Sequence, residues 1–330
     1  MYKKVLETIK KNNLIENEDK LVLGVSGGPD SISMLDILNK IRQDNEIKLN
    51  FEIVVAHINH MIREEAKEDE LYVKNYCKKN NIEFYSKSID VKKLANTNKI
   101  GTEEAGRNAR YDFFNEILEK TKSNKIAIAH NKNDNAETMI MNIIRGSGVS
   151  GLKGIEPKRG IYIRPLIECE RIEIENYCEE QKLNPRIDKT NFENEYTRNK
   201  IRNIIIPYVR KEFNPNIINT LERLSNLVKE EEDYIEKQVL SIYNRIIIEE
   251  KEKEIVLELK IFNAQEKVIK SRLILYTITR LFGSSQGIEK IHIEDIIKLC
   301  SKNIGNKYLT PNKKIKILVK NHKIYFLRQI

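Results

Sequence analysis

The sequence predicts an α/β fold: a parallel five-stranded-type sheet with helices on both faces, followed by a smaller, mostly helical α+β domain. Three observations carry this. Short β-branched runs alternate with segments whose apolar residues recur every three or four positions, the pattern of βαβ units and a covered parallel sheet. The length, 330 residues, exceeds one typical domain. The character of the chain also changes after about residue 146, where glycine and then proline become frequent.

Taken in order, "LVLGV" (21–25), "FEIVVAHI" (51–58), "IEFYSKSI" (82–89) and "KIAIAH" (125–130) read as strands. Residues 31–43, 64–80 and 103–121 read as helices, with Met34, Leu35, Leu38 and Ile41 marking the first apolar stripe. From Gly146 to Pro215 the glycines and prolines predict irregular chain around the α/β domain. Residues 217–248 read as one helix, with Leu221, Leu224, Leu227 and Val228 on a stripe. "EIVLEL" (254–259) reads as a strand and 264–282 as a helix. "KIKILVK" and "KIYFLRQI" read as a hairpin joined at Asn321-His322. Asn214-Pro215 breaks the chain, so the expected domains are 1–215 and 216–330.

No apolar run approaches the roughly 18 residues of a membrane span, and the N-terminus is charged throughout, without a secretory signal. The expectation is a cytoplasmic protein with no membrane partner. Cys77, Cys169, Cys178 and Cys300 are scattered, with no C-x-x-C pair and no H-E-x-x-H among the five histidines. This speaks against a zinc site, an iron–sulfur cluster or a disulfide framework. The net charge of +9 suits a polyanion such as nucleic acid. The abundance of Lys, Asn and Ile is also what an AT-rich genome would produce, so charge alone leaves both readings open.

In "VSGGPDS" (25–31) a strand meets a helix through two glycines and a proline suited to the first helical turn. Gly27 and Gly28 admit positive φ and leave room for a ligand against the backbone. Successive N–H groups at a helix N-terminus then suit a phosphate, with the Ser26 and Ser31 hydroxyls at the edge. The stretch fits neither G-x-x-x-x-G-K-[ST] nor G-x-G-x-x-G. A tight βα turn needing glycines is the plainer alternative. Asp30 argues against it, since a carboxylate at a phosphate seat is repulsive unless it meets Mg²⁺ or orients an incoming group.

This S-G-G-P-D-S loop resembles the pyrophosphate loop of the N-type ATP pyrophosphatases. Within that superfamily, four further stretches resemble the tRNA(Ile)-lysidine synthetases. These are H-x-N-H-x-x-R at His57, Asn59, His60 and Arg63, and E-x-x-x-R-x-x-R-Y within 103–114, where Gly106 stands in place of the usual alanine. The third is H-x-x-x-D-x-x-E-T from His130 followed by R-G-S-G-x-x-G-L. The fourth is R-P-L at 164–166, then D-x-[ST]-N and R-N-x-I-R by residue 202. The resemblance covers about residues 20–215. It departs from the family at Asn131 and Asn133, where a histidine and an aspartate are usual.

The resemblance implies ATP as co-substrate with Mg²⁺, free L-lysine, and tRNA(Ile) with a CAU anticodon whose wobble cytidine becomes lysidine. It implies cofactor-binding roles for Ser26, Gly27, Gly28, Pro29, Asp30, Ser31 and His57, with Asp30 as the Mg²⁺ ligand. Asp30, Arg107, Asp134 and Glu137 are the implied catalytic residues. Arg198 and Arg202, at i and i+4 beside Lys200, suit tRNA phosphates, closure over the site, or a plain solvated face, and the expected tRNA contacts are Arg198, Lys200 and Arg202. Read from spacing alone, Asp134, Glu137 and Thr138 share one helix face, which suits either a ligand amine or a capped, solvated face. Arg107 and Arg110, one turn apart, suit either the α-phosphate or ordinary surface pairing. His57 and His60 sit at a strand end where α/β ligands bind, or simply in the core.

Two rivals remain. A tRNA 2-thiolation enzyme of the same superfamily would use reactive cysteines, whereas these four read as buried and structural. A non-catalytic basic RNA-binding protein would have no need of the intact loop and D-x-x-E-T. Long members of the family carry a further C-terminal domain, and the sequence leaves open whether this is a short form. Dimerisation is an expectation by analogy.

Overall fold

The computed structural model describes residues 1–330 apart from 60, 62–65, 187–193, 195, 303–306, 313 and 330, and describes only the backbone of 66 and 67. His60, Arg63 and the D-x-[ST]-N stretch (188–191) therefore lie outside the described residues. Contacts divide the chain into two compact units, Met1–Asn226 and Leu227–Ile330.

The first unit begins with α1 (Tyr2–Lys11), β1 (Asp19–Gly24), α2 (Pro29–Gln43), β2 (Phe51–Asn59), α3 (Ala66–Lys79) and β3 (Glu83–Ser88). It continues through α4 (Val91–Asn98), α5 (Thr102–Thr121), β4 (Lys125–Ala127) and α6 (Lys132–Ile144). A short hairpin, β5 (Lys158–Arg159) and β6 (Tyr162–Ile163), precedes α7 (Arg171–Glu180). Then come α8 (Thr197–Lys200), a π-helical turn (Ile201–Ile205), α9 (Ile206–Glu212) and the start of α10 (Ile217–Ile246), whose residues from Leu227 on belong to the second unit.

The sheet order is β3-β2-β1-β4-β6-β5. Five strands run parallel, with Leu21 opposite both Ile53 and Lys125, and β5 adds one antiparallel edge. The apolar continuity of β1 follows from having both faces covered. Leu21 and Leu23 pack with Val5, Leu35, Leu38, Val73 and Ile174, while Val22 faces Phe113, Phe114 and Ile117 of α5. The last residue of β1, Gly24, has the Phe114 ring against it, and a Cβ there would sit 2.4 Å from the ring. Residues 25–31, His57, His130 and Arg164 follow β1, lie in β2, or follow β4 and β6 at the carboxyl ends of parallel strands, the edge where open α/β sheets bind ligands.

The second unit carries β7 (Ile247–Lys251), β8 (Glu254–Glu258), α11 (Leu259–Asn263), α12 (Lys267–Phe282), α13 (Lys290–Ser301), β9 (Lys307–Asn312), β10 (Ile315–Lys320) and β11 (Lys323–Arg328). Its antiparallel sheet runs β7-β8-β11-β10-β9 around a core including Phe262, Leu273, Ile278 and Phe326. The helix read over 217–248 stops at Ile246, because Ile247 pairs with Leu257 of β8. The β10–β11 turn is the expected one, Asn321 and His322 both taking positive φ, 51° and 57°, as a two-residue hairpin requires. Among the described residues, no helix is long and apolar enough to cross a membrane.

Candidate active site

The loop after β1 is held from three sides. Val25 N–H donates to Ala56 O at 3.0 Å, and His57 Nδ1 lies 2.8 Å from Val25 O. Gly27 has φ +96°, the conformation that favours glycine. Gly28 caps α2, and Pro29 opens it. Ser26 and Gly27 donate their N–H groups to Ser31 Oγ at 3.1 and 3.2 Å, and that hydroxyl donates to Gly28 O at 3.0 Å. The sequence reading placed Ser31 at the edge of an open ring of amides. Here its hydroxyl reaches back one turn and braces the loop from within, as serine near a helix start does. Arg186 N–H donates to Gly27 O at 3.0 Å, so the chain after α7 lies against the same loop.

Asp30 stands on the first turn of α2 and receives the Asn131 side-chain amide at 2.8 Å. Asn131 in turn caps α6: its Oδ1 accepts from Asp134 N–H and its own N–H donates to Asp134 Oδ2, both at 3.0 Å. The two departures from the family pattern thus have structural work. Asn131 ties the loop aspartate to the helix, and Asn133 Oδ1 accepts from Arg171 N–H at 3.0 Å, fastening α7. Burial, reinforced by the Asp134 charge, pushes the Asp30 carboxyl up to about 6.

Asp134 and Glu137 do share a face, and two arginines occupy it. Arg202 Nε donates to Glu137 Oε1 at 2.6 Å and Arg198 Nε to Glu137 Oε2 at 2.9 Å. Both also reach Asp134 Oδ1, at 2.9 and 3.1 Å. Burial raises the Asp134 carboxyl, but Arg198, Arg202 and the Asn131 N–H outweigh it and hold the group below the usual range. The arginines are placed by Ile201 and Ile206, which pack on Ala136 and Met139 of α6. Arg198 lies in α8 and Arg202 in the π-helical turn that follows it, four residues on, so both guanidiniums meet one carboxylate pair. Glu137 is almost wholly buried, at 1 % exposure. Arg198 and Arg202, read from the sequence as tRNA-phosphate contacts or as groups closing over the site, here pair with carboxylates, while Lys200 between them is exposed.

Arg107 is exposed and lies over the Tyr111 ring, 5.0 Å from its centroid. Arg110, one turn on, is also exposed. Thr138 Oγ1 donates back to Asp134 O at 2.8 Å, so it serves the helix. His57 is buried, with Nε2 unpartnered among the described residues. Two motif residues to which the sequence reading assigns no role meet here: His130 and Arg164, 3.2 Å apart between ring and guanidinium nitrogens. A cavity of about 470 Å³ adjoins Arg202 and Glu137, lined also by Asn133, Arg171, Arg210 and Lys211 among others.

As a cation site, Asp30 offers one carboxylate whose hydrogen bond leaves acceptor capacity free. No group of three or more His, Cys, Asp or Glu able to hold a metal exists among the described residues. That donor set suits Mg²⁺ held by one carboxylate together with substrate phosphates. The four cysteines are buried and free. Burial pushes the thiols of Cys77, Cys169 and Cys300 up to about 12, far from a reactive thiolate.

The family model described as the PP-loop domain matches residues 1–209. A tRNA(Ile)-lysidine synthase from Clostridium acetobutylicum is 49% identical over 94% of this chain and 67% of its own length. One from Clostridioides difficile is 44% identical over 98% of this chain and 70% of its own. The chain thus spans about two thirds of the length of these relatives. Among solved structures, the U34-tRNA thiolase NcsA from Methanococcus maripaludis, which carries a [4Fe-4S] cluster, covers 68% of this chain and 78% of its own. Its TM-score is 0.53 at 21% identity, a likeness of fold. With the loop, the capped D-x-x-E-T helix and the buried thiols in view, these matches lead to one conclusion: the chain belongs to the PP-loop family and, within it, to the tRNA(Ile)-lysidine synthases.

Proposed function

We propose that the chain ligates free L-lysine to carbon 2 of the wobble cytidine in the CAU anticodon of tRNA(Ile), through an ATP-derived adenylated base, with release of pyrophosphate and AMP. The observation that carries this reading is the link Asp30–Asn131–Asp134–Glu137, which joins the phosphate loop to a carboxylate pair on one helix.

In this reading the loop at 26–31 seats the departing pyrophosphate at the start of α2. Asp30 would hold Mg²⁺, which supplies charge neutralisation at the phosphates. Asp134 and Glu137 receive the lysine ammonium or take its proton, exchanging part of their arginine contacts for it. Arg107 serves the α-phosphate, Lys200 with Arg198 and Arg202 serves tRNA, and residues 216–330 form a tRNA-binding domain. His57 lines the nucleotide seat. The protein works in the cytoplasm as a homodimer, an assembly that light scattering would test.

The test is nucleoside analysis of the tRNA(Ile) transcript after incubation with ATP, Mg²⁺ and lysine. Lysidine is the expected product. Appearance of 2-thiocytidine, or ATP turnover without any modified nucleoside, overturns the reading.

A further inference from the structure

His130 follows β4 and Arg164 follows β6, adjacent parallel strands, so both stand at the ligand-binding edge of the sheet. Arg164 Nε–H donates to His130 Nδ1 at 3.2 Å. A guanidinium has donors and no acceptor. The imidazole Nδ1 must therefore present a lone pair, and the ring is the neutral tautomer with its proton on Nε2.

Arg164 is itself held rigidly. It donates from NH1 to Glu156 O at 2.7 Å and from its backbone N–H to Pro157 O at 2.9 Å, and its residue is buried. His130, by contrast, is half-buried, and its Nε2 has no hydrogen-bond partner among the described residues. Besides the carboxylate of Asp134, the charged groups facing the ring are Arg164, Arg198 and Arg107. Both oxygens of that carboxylate are already engaged, Oδ2 by Asn131 N–H and Oδ1 by the two arginines. Burial together with these guanidiniums keeps the ring uncharged down to about 4. A fixed neutral donor opening among cations suits an anionic oxygen. His130 directly precedes Asn131, the residue that holds Asp30 of the pyrophosphate seat.

We propose that His130 is a catalytic hydrogen-bond donor whose Nε2–H meets an α-phosphoryl oxygen of the bound nucleotide, and that Arg164 is the positioning residue that keeps the proton on Nε2. The assignment of the ligand rests on the ATP-dependent reading above; the tautomer does not.

Two measurements on the full chain test it. Imidazole ¹H–¹⁵N spectra at pH 7, with the His130 signal identified by its loss in His130→Gln, should show the Nε2–H tautomer. In Arg164→Met the ring should lose that preference and titrate nearer the ordinary histidine range. A wild-type ring protonated on Nδ1 overturns the proposal, even if Arg164→Met does not fold.

Pyrophosphate release with ATP, lysine and transcript gives the second arm. A glutamine amide nitrogen reaches the position of imidazole Nε2, whereas that of asparagine stands near Nδ1. His130→Ala and His130→Asn should each lose about 10²-fold in kcat, the scale of one oxyanion donor, with KM for ATP changed less than about threefold. His130→Gln should recover most of that loss. Equal activity of the Gln, Asn and Ala variants, or an unimpaired Ala variant, sinks the donor role. A wild-type protein that makes no lysidine would instead sink the functional reading and leave the tautomer result standing.

Discussion

The Asn131 side-chain amide donates to Asp30 across 2.8 Å and joins positions 101 residues apart. Because Asn131 also caps α6, the glycine loop after β1 and the helix that carries Asp134 and Glu137 share one hinge of hydrogen bonds. Asp30 is thereby held half-buried near a second carboxylate, and its carboxyl rises to about 6.

A carboxyl raised on folding penalises the folded state once ionised. Stability of the ligand-free protein should therefore fall as pH rises from about 4 to about 6 through this group. Asp30→Asn should be more stable than wild type at pH 7 by on the order of 1–3 kcal/mol, and equal at pH 4. Urea unfolding without nucleotide or Mg²⁺ checks this. Pyrophosphate release should fall at least about 10²-fold in the same variant; full activity would remove Asp30 from the reaction.

Glu137→Gln leaves Arg198 and Arg202 facing half of their former charge in a mostly buried site. The expected loss is about 2–4 kcal/mol, because breaking one side of a buried ion pair leaves the other uncompensated. The double variant Glu137→Gln, Arg202→Met should lose less than the two single losses added, measured as a double-mutant cycle. Additive losses would mean that the pair contributes no coupling.

Gly154 has φ +66°, and a Cβ there would lie 2.0 Å from Asn135 Oδ1, the atom that accepts Ile155 N–H. Gly154→Ala should lower the melting temperature and slacken the 146–160 segment against α6. The strain alone is about 1–2 kcal/mol. Adding Asn135→Ala should remove the clash but not the strain, so only part of the loss returns.

Lys200 is exposed between two arginines that are committed to carboxylates. Lys200→Glu should weaken tRNA binding and reduce the steepness of its salt dependence by about one unit, as loss of one phosphate contact does. An unchanged salt slope would place the tRNA elsewhere.

The strands β1 to β4 and the helices α2, α3 and α5 were legible because each carries its own period: apolar runs where both sheet faces are covered, three- and four-residue spacing where one helix face is buried. The β5–β6 hairpin was not, since two residues per strand leave no period to read. The candidate residues were legible for a different reason. Glycines, a proline and an aspartate at fixed offsets after a buried strand describe a local turn, and a local turn needs no knowledge of the rest of the chain.

Pairing is another matter. Spacing put Asp134 and Glu137 on one face, but not the two arginines 61 to 68 residues away that fill it. Nor did it show that Asn131 holds Asp30, or that Arg164 sets the proton on His130. By itself the sequence determined the α/β class, the glycine turn after β1 and the family, all properties of local pattern. Tertiary structure alone decided which charge meets which, because ion pairs and tautomers depend on distances of a few ångströms between segments that only the folded chain brings together.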